Sequence, residues 1–307
     1  MATPTLKQLR YFEAVARHGH FGHAAETCAI SQPALSMQIK ELEATLGAPL
    51  FERGPRHVRL TGFGEEVLAR SRDILRAVDD LQEMARAAQD EVSGRMRLGV
   101  IPTVAPYLLP ALMGRLMASY PGLDLRVRET VTPRLLQEME AGALDAAIVA
   151  LPISEPALAE VPLFTEEFVL VRPAAEAGAP VPRAETLREM RLLLLEEGHC
   201  FRDQALSFCA APAARPRELL DGSSLSTLVQ MVGAGMGVTL IPEMAVPVET
   251  RSADVSIAHF QTPRPQRTIG MIWRKTSPLA CRFQRIADTV RDTAQALNLT
   301  TAENTAA

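Results

Sequence analysis

No apolar run in the sequence approaches the ~20 consecutive residues that a membrane-spanning helix requires, which excludes a helical membrane protein. Cysteine is scarce. Cys28, Cys200, Cys209 and Cys281 are the four in 307 residues, too few and too scattered for a disulfide-stapled scaffold. The stretch Met1-Ala2-Thr3-Pro4-Thr5-Leu6-Lys7 lacks the charged-then-apolar layout of an export signal, so a cytoplasmic location with free thiols is expected. Any pair that joins there would switch rather than staple. Gly-rich phosphate loops, His-Glu-x-x-His, a nucleophile elbow and Cys-x-x-Cys are all missing, so no enzyme, cofactor or metal site is expected. Gly233, Gly235 and Gly237 precede a strand-like run instead of following one, and read as a tight helix-to-strand turn.

What is present suits a globular chain of two domains or slightly more, with 47% apolar and 22% charged residues. The net charge of −4 argues against a nucleic-acid partner until its distribution is examined. Residues 1–62 hold seven Lys/Arg against five Asp/Glu, a mildly cationic head on an acidic body. That asymmetry is compatible with local contact to DNA.

In the head, Leu6, Leu9, Phe12, Val15 and Ala16 recur at helical spacing up to Gly19. A short helix over Phe21 to Cys28 follows. Ser31 then caps a third helix, with Pro33 in its first turn and Leu35, Ile39, Leu42 and Leu46 as its stripe up to Gly47. Its other face carries Gln32, Ser36, Met37 and Lys40. That face fits either a solvated side of a three-helix core or the recognition surface of a helix-turn-helix. Gly54-Pro55 next divides two short strand-like runs, with Arg53, Arg56 and Arg59 around the turn. A basic hairpin of this kind suits phosphate contact and favours the second reading.

The pattern Ala24-Ala25, Ser31-Gln32-Pro33-Ala34-Leu35-Ser36, Ile39-Lys40-Glu41-Leu42-Glu43, Leu46-Gly47, Leu50-Phe51-Glu52-Arg53, Leu60-Thr61 and Gly64 closely resembles the DNA-binding domain of LysR-type transcriptional regulators. The resemblance implies a winged helix-turn-helix acting as a homodimer or homotetramer on double-stranded promoter DNA. Gln32, Pro33, Ala34, Ser36, Met37 and Lys40 would read or position, and Arg53, Arg56 and Arg59 would grip.

Thr61 can cap a long helix. Val67, Ser71, Ile74, Val78, Leu81, Ala85 and Ala88 follow a 4-3-4-3 spacing, which favours pairing with a second chain over packing on the chain's own body. Val67, Ile74, Val78 and Leu81 are the expected dimerisation residues. The expected domains are 1–62 (winged helix-turn-helix), 63–92 (linker helix), 93–300 (regulatory domain) and a tail, 301–307. Beyond Ser93-Gly94, strand and helix patterns alternate, which argues for open, largely parallel sheets covered by helices. The body also resembles the two-lobed α/β effector domain of the LysR family, of periplasmic-binding-protein type. Lobe I would take about 95–164 and 268–300, lobe II about 165–267, with crossings near Phe164 and Arg267 and a sensing cleft at strand ends.

Gly198-His199-Cys200-Phe201-Arg202-Asp203-Gln204-Ala205, ending in Phe208-Cys209, is the most distinctive body segment. A thiol at a helix start beside Arg202 and His199 suits the thiolate that attacks peroxide. On the residues alone, two structural thiols or a metal site with His199, Cys200 and Cys209 stay open. Were both cysteines on one helix, nine steps of ~1.5 Å would hold them roughly 13 Å apart, beyond the ~7 Å limit for a disulfide.

The segment resembles the redox segment of the peroxide-sensing OxyR branch of the LysR family, as do Ile101-Pro102-Thr103-Val104-Ala105-Pro106-Tyr107-Leu108-Leu109-Pro110 and Arg267-Thr268-Ile269-Gly270 for the peroxide pocket. That resemblance implies Cys200 as peroxidatic thiol and Cys209 as resolving thiol. Thr103, Thr132, His199, Asp203 and Arg267 would bind hydrogen peroxide or tune the thiol. Each threonine could equally be a helix cap. Cys28 and Cys281 read as packing thiols. The expected function is a peroxide-sensing activator of oxidative-stress defence genes, with RNA polymerase and thiol reductants of the glutaredoxin or thioredoxin type as further partners. A regulator answering a small organic effector is the alternative, and a thiol peroxidase with a DNA-anchoring head a third reading.

Overall fold

The computed structural model describes residues 3–53, 58–87, 92–187, 190–208, 221–262 and 264–299. The chain divides into two compact units, Met1–Ala88 and Gln89–Ala307.

In the first unit, helices α1 (Leu6–His18), α2 (Phe21–Thr27) and α3 (Gln32–Leu46) are bounded by local chemistry. Thr5 and Gln8 form a reciprocal capping box ahead of α1, and Gly19 closes it in the left-handed conformation. Ser31 Oγ accepts from the backbone N–H of Ala34 to start α3, and left-handed Gly47 ends it. Phe12, Val15, Ala24, Leu35, Ile39, Leu42 and Leu50 are fully buried together. Strands β1 (Phe51–Arg53) and β2 (Val58–Leu60) pair antiparallel, with Glu52 opposite Arg59. Thr61 Oγ1 donates to the Pro49 carbonyl and accepts from Gly64 N, tying helix α4 (Gly62–Ala87) to the hairpin.

Helix α4 has two faces. Leu68, Ser71 and Leu75 are buried against α1–α3, whereas Ile74 and Leu81 are 47% and 64% exposed. Ser71, expected in the dimer seam, thus lies on the face turned to its own head. Positions 71 and 74 sit about 60° apart around the helix axis, so a stripe at this spacing runs along the border between the buried and the exposed face.

The second unit opens with β3 (Gly94–Val100), α5 (Ala105–Ser119), β4 (Leu123–Glu129), α6 (Thr132–Glu140), β5 (Ala146–Leu151) and the long β6 (Leu158–Pro173). It continues with α7 (Ala184–Leu187), β7 (Leu192–Leu195), α8 (Cys200–Phe208), β8 (Asp221–Gly222), α9 (Leu225–Gly233) and β9 (Val238–Pro242). It ends with α10 (Val246–Glu249), β10 (Val255–His259), β11 (Gln266–Arg274) and α11 (Ala280–Ala296). The sheet runs β4-β3-β5-β11-β6-β9-β7-β8, with β10 also on β6.

Around this sheet lie two apolar cores. Leu98, Ile148, Phe164, Ile272 and Phe283 belong to one, and Val169, Leu193, Phe201, Leu228 and Ile241 to the other. Strand β6 passes from the first core to the second; β11 pairs with it over Leu158–Glu167, and β9 and β10 pair with it beyond. The crossing is made where the start of β11 pairs with the middle of β6, at Arg267 and Glu166.

The expectation of largely parallel sheets needs correction. Pairs β3–β4, β3–β5, β7–β8 and β7–β9 are parallel, but β5–β11, β6–β11, β6–β9 and β6–β10 are antiparallel. The strands that carry the chain between lobes run against their neighbours, and an apolar run buried on both faces carries no sign of direction. Gly235 and Gly237 make the turn from α9 into β9, at φ 76° and 153°.

Candidate functional site

Three element ends meet where the lobes face each other: the turn after β3, the start of α6 and the start of α8. Ile101, Pro102, Thr103, Val131, Thr132, His199, Cys200 and Phe201 line a tight crevice there. Strand C-terminal ends and helix N-termini gather free N–H groups, so the location suits a small polar ligand. Cys200, the first residue of α8, is a half-buried free thiol that packs against the first core although its helix belongs to the second lobe. Phe201, next to it, belongs to the second core and meets Phe168 edge-on at 4.8 Å.

Neither threonine acts as a cap. The N-caps of α5 and α6 are Val104 and Val131, both without a side-chain capping bond. Thr103 is buried, and its Oγ1 accepts from Arg267 Nη1 at 2.8 Å while its carbonyl accepts from Nη2 at 3.1 Å. Thr132 Oγ1 is buried with no protein hydrogen-bond partner.

Arg267 stands behind Thr103. Its side chain is fully buried, with Nε donating to Glu166 Oε1 at 2.8 Å and the guanidinium lying 5.1 Å from the Phe201 ring centre. Burial pushes the Glu166 carboxyl above the usual carboxylate range, and the Arg267 charge opposes that rise. His199 is half-buried, and its carbonyl accepts from Arg202 N. Burial lowers the imidazole below its ordinary value, against the nearby Glu196.

The structure thus brings together Thr103, Thr132, His199 and Cys200, with Arg267 one layer back. It does not bring in Asp203, which is exposed and absent from the pocket lining. Arg202 Nη1 donates to the Leu195 carbonyl at 2.7 Å, at the end of β7. Cys209 lies outside the described residues. Among the described residues, no cluster of His, Cys, Asp and Glu fits a metal ion.

Sequence reasoning missed Glu166, Phe201 as a guanidinium platform, and Tyr107, whose hydroxyl donates to Glu249 Oε1 at 2.7 Å from one lobe to the other. The available signal for Glu166 was a charged residue inside the strand-like run Phe164 to Val171.

In the first unit, Gln32, Pro33, Met37 and Lys40 on α3 are exposed, while Ala34 and Ser36 are half-buried. Arg59 is exposed on β2; Arg53 closes β1 opposite Val58, and Arg56 lies outside the described residues. A groove of about 720 Å³, lined by Leu6, Leu9, Leu46, Phe63, Val67 and Ile74 among others, runs beside the exposed edge of α4. Val78, further along, is half-buried.

Residues 6–65 match the bacterial regulatory helix-turn-helix protein model of the lysR family, and residues 89–295 match the LysR substrate binding domain. A probable hydrogen peroxide-inducible genes activator of Streptomyces viridosporus is 45% identical over 294 residues, 94% of each chain. A cysteine-to-aspartate variant of full-length OxyR from Pseudomonas aeruginosa superposes with a TM-score of 0.80 at 35% identity, covering 99% of this chain and 100% of that one. A hydrogen peroxide-bound cysteine-to-serine variant of Corynebacterium glutamicum OxyR gives 0.67 at 34% identity, covering 100% and 99%. With both family models matched in order and relatives spanning nearly its whole length, the chain belongs to the LysR family of DNA-binding transcriptional regulators.

Proposed function

We propose that this regulator senses hydrogen peroxide at Cys200 and thereby switches transcription of oxidative-stress defence genes. The observation that carries the reading is a half-buried thiol in a tight crevice, faced by two threonine side chains that cap no helix. Pockets for organic ligands commonly run to roughly 300–1,000 Å³, and this crevice is far tighter than that, which favours a ligand as small as peroxide over an organic effector. The names of the relatives, and the peroxide held by the Corynebacterium neighbour, point the same way.

The Cys200 sulfur attacks one peroxide oxygen, and the O–O bond breaks. The thiol proton ends on the departing oxygen, which leaves as water, and the sulfur becomes a sulfenic acid. The Cys209 thiol then displaces the sulfenic hydroxyl as a second water, forming the disulfide. A dithiol reductant of the glutaredoxin or thioredoxin type returns two electrons and two protons.

The bond to Cys209 has a mechanical cost. Eight helical steps from Cys200 to Phe208 span about 12 Å, and one further residue reaches at most about 3.8 Å back, short of the ~7 Å that a disulfide allows. Helix α8 must unwind for the bond to close. We read that remodelling of lobe II as the signal that changes subunit packing. Exposed Ile74 and Leu81, with Val67 and Val78, join two or four subunits, and the α3 faces and basic hairpins then meet paired half-sites on promoter DNA near RNA polymerase.

Thiol trapping with peptide mapping after slight peroxide excess tests the reading. A Cys200–Cys209 disulfide is expected, with Cys28 and Cys281 free. If the Cys200→Ser variant still changes its DNA footprint with peroxide, the reading is wrong.

A further inference from the structure

We infer that Glu166 is a positioning residue for the reaction at Cys200, holding Arg267 so that the Thr103 hydroxyl hydrogen can point only into the pocket. The inference rests on the peroxide reading of that pocket. Glu166 on β6 and Arg267 on β11 are cross-strand partners, and both are 3% exposed. Glu166 Oε1 takes Arg267 Nε at 2.8 Å and lies 2.6 Å from Nη2. That grip leaves Nη1 for Thr103 Oγ1 and Nη2 for the Thr103 carbonyl.

A guanidinium donates and never accepts. A hydroxyl that accepts from it must therefore spend its own hydrogen elsewhere. Around Thr103 the lining side chains of Ile101, Pro102, Val131 and Phe201 offer no acceptor, and the side chains that could take the hydrogen, His199, Cys200 and Thr132, all line the pocket. The Thr103 O–H is thereby committed as a donor to a small ligand beside Cys200, where it can stabilise the oxygen that departs as the S–O bond forms and the O–O bond breaks. Without Glu166 the buried guanidinium would turn toward another acceptor, and the hydroxyl would regain the freedom to face away.

The test is a mutant cycle on the peroxide rate constant of Cys200 in the full chain, read by stopped flow. E166M, which has no acceptor, should slow oxidation about tenfold or more, and E166Q, whose amide oxygen still accepts, should stay within about threefold of the parent. Because Glu166 acts through Thr103, E166M combined with T103V should be no slower than T103V alone. If E166M does not fold, E166D serves in its place, keeping the charge while drawing the acceptor back by one methylene. It should slow the parent about threefold and leave T103V unchanged. Additive losses in the cycle, or a parent-like rate in the acceptor-free or shortened variant, would overturn the assignment. A parent protein whose Cys200 ignores peroxide would instead sink the peroxide reading itself.

Discussion

Arg267 and Thr103 lie 164 positions apart in the chain, yet the guanidinium grips both the hydroxyl and the carbonyl of the threonine, at 2.8 and 3.1 Å. Thr103→Val keeps the shape and removes the donor. It should lower the rate of Cys200 oxidation by about 10- to 100-fold, at the lower end of or below the ~10²–10³-fold lost when one oxyanion-hole donor is removed. Thr103→Ser should stay close to the parent. Competition against a peroxide-reactive dye measures both.

The same guanidinium holds a stability term. Arg267→Met leaves Glu166 buried without its counter-charge, which costs about 3–5 kcal/mol in comparable cases. Burial already raises the Glu166 carboxyl, and removing Arg267 raises it further. An acid raised in the folded state contributes stability below its unfolded value, near ~4.3, and loses it as pH rises through the folded value. Denaturant titrations should therefore find the Arg267→Met penalty larger at pH 8 than at pH 5. An equal penalty at both would mean that losing Arg267 does not raise the Glu166 carboxyl further.

His199 has the opposite sign. Its imidazole is lowered by burial, so the fold prefers the neutral ring. That contribution is full above the unfolded value of about 6.5 and is lost as pH falls through the folded value. His199→Gln cannot titrate. Its melting temperature should fall less steeply than the parent's between pH 7.5 and 5, as calorimetry at a series of pH values would show.

The head was legible almost residue by residue because its signals are local. Gly19, Ser31 and Gly47 each act within a few positions of themselves, Thr61 accepts from Gly64 N three positions on, and the stripe of Leu35, Ile39 and Leu42 needs only helical spacing. In the body the strand and helix order was readable, and so were Thr103, Thr132 and Cys200 as groups at element ends. The pairing of β6 with β11 was not, since it joins segments about a hundred residues apart. Glu166 shows why: adjacent Glu167 is a surface partner of Arg264, and nothing local distinguishes it from its buried neighbour. The missing information is the identity of the strand across the sheet.

Gly64 answers a packing demand that spacing alone did not explain. A Cβ there would collide with the Leu50 carbonyl oxygen, which is backbone and cannot swing aside. Gly64→Ala should push α4 off the hairpin, lower the melting temperature of the isolated first unit by several degrees, and weaken operator binding. Gly62→Ala, with open space at its Cβ, is the control and should change neither.

The exposed edge of α4 gives the last prediction. Ile74 and Leu81 are aliphatic, one heptad apart, and 47% and 64% exposed, and Ile74 borders the apolar groove beside Leu6 and Phe63. Leu68 and Leu75, buried in the core of the head, hold α4 to it and are left in place by substitutions at 74 and 81. Ile74→Lys with Leu81→Lys should therefore leave the fold of the first unit intact while charging the surface that a second chain would cover. Light scattering should show a shift toward monomer. Operator affinity should fall by at least tenfold although two cations have been added, because a single recognition helix reaches one half-site where a dimer reaches two. Added positive charge on its own would raise non-specific affinity at low salt, so titration across salt concentrations separates the two effects. A double variant that stays oligomeric and binds as before would place the subunit contact on another face.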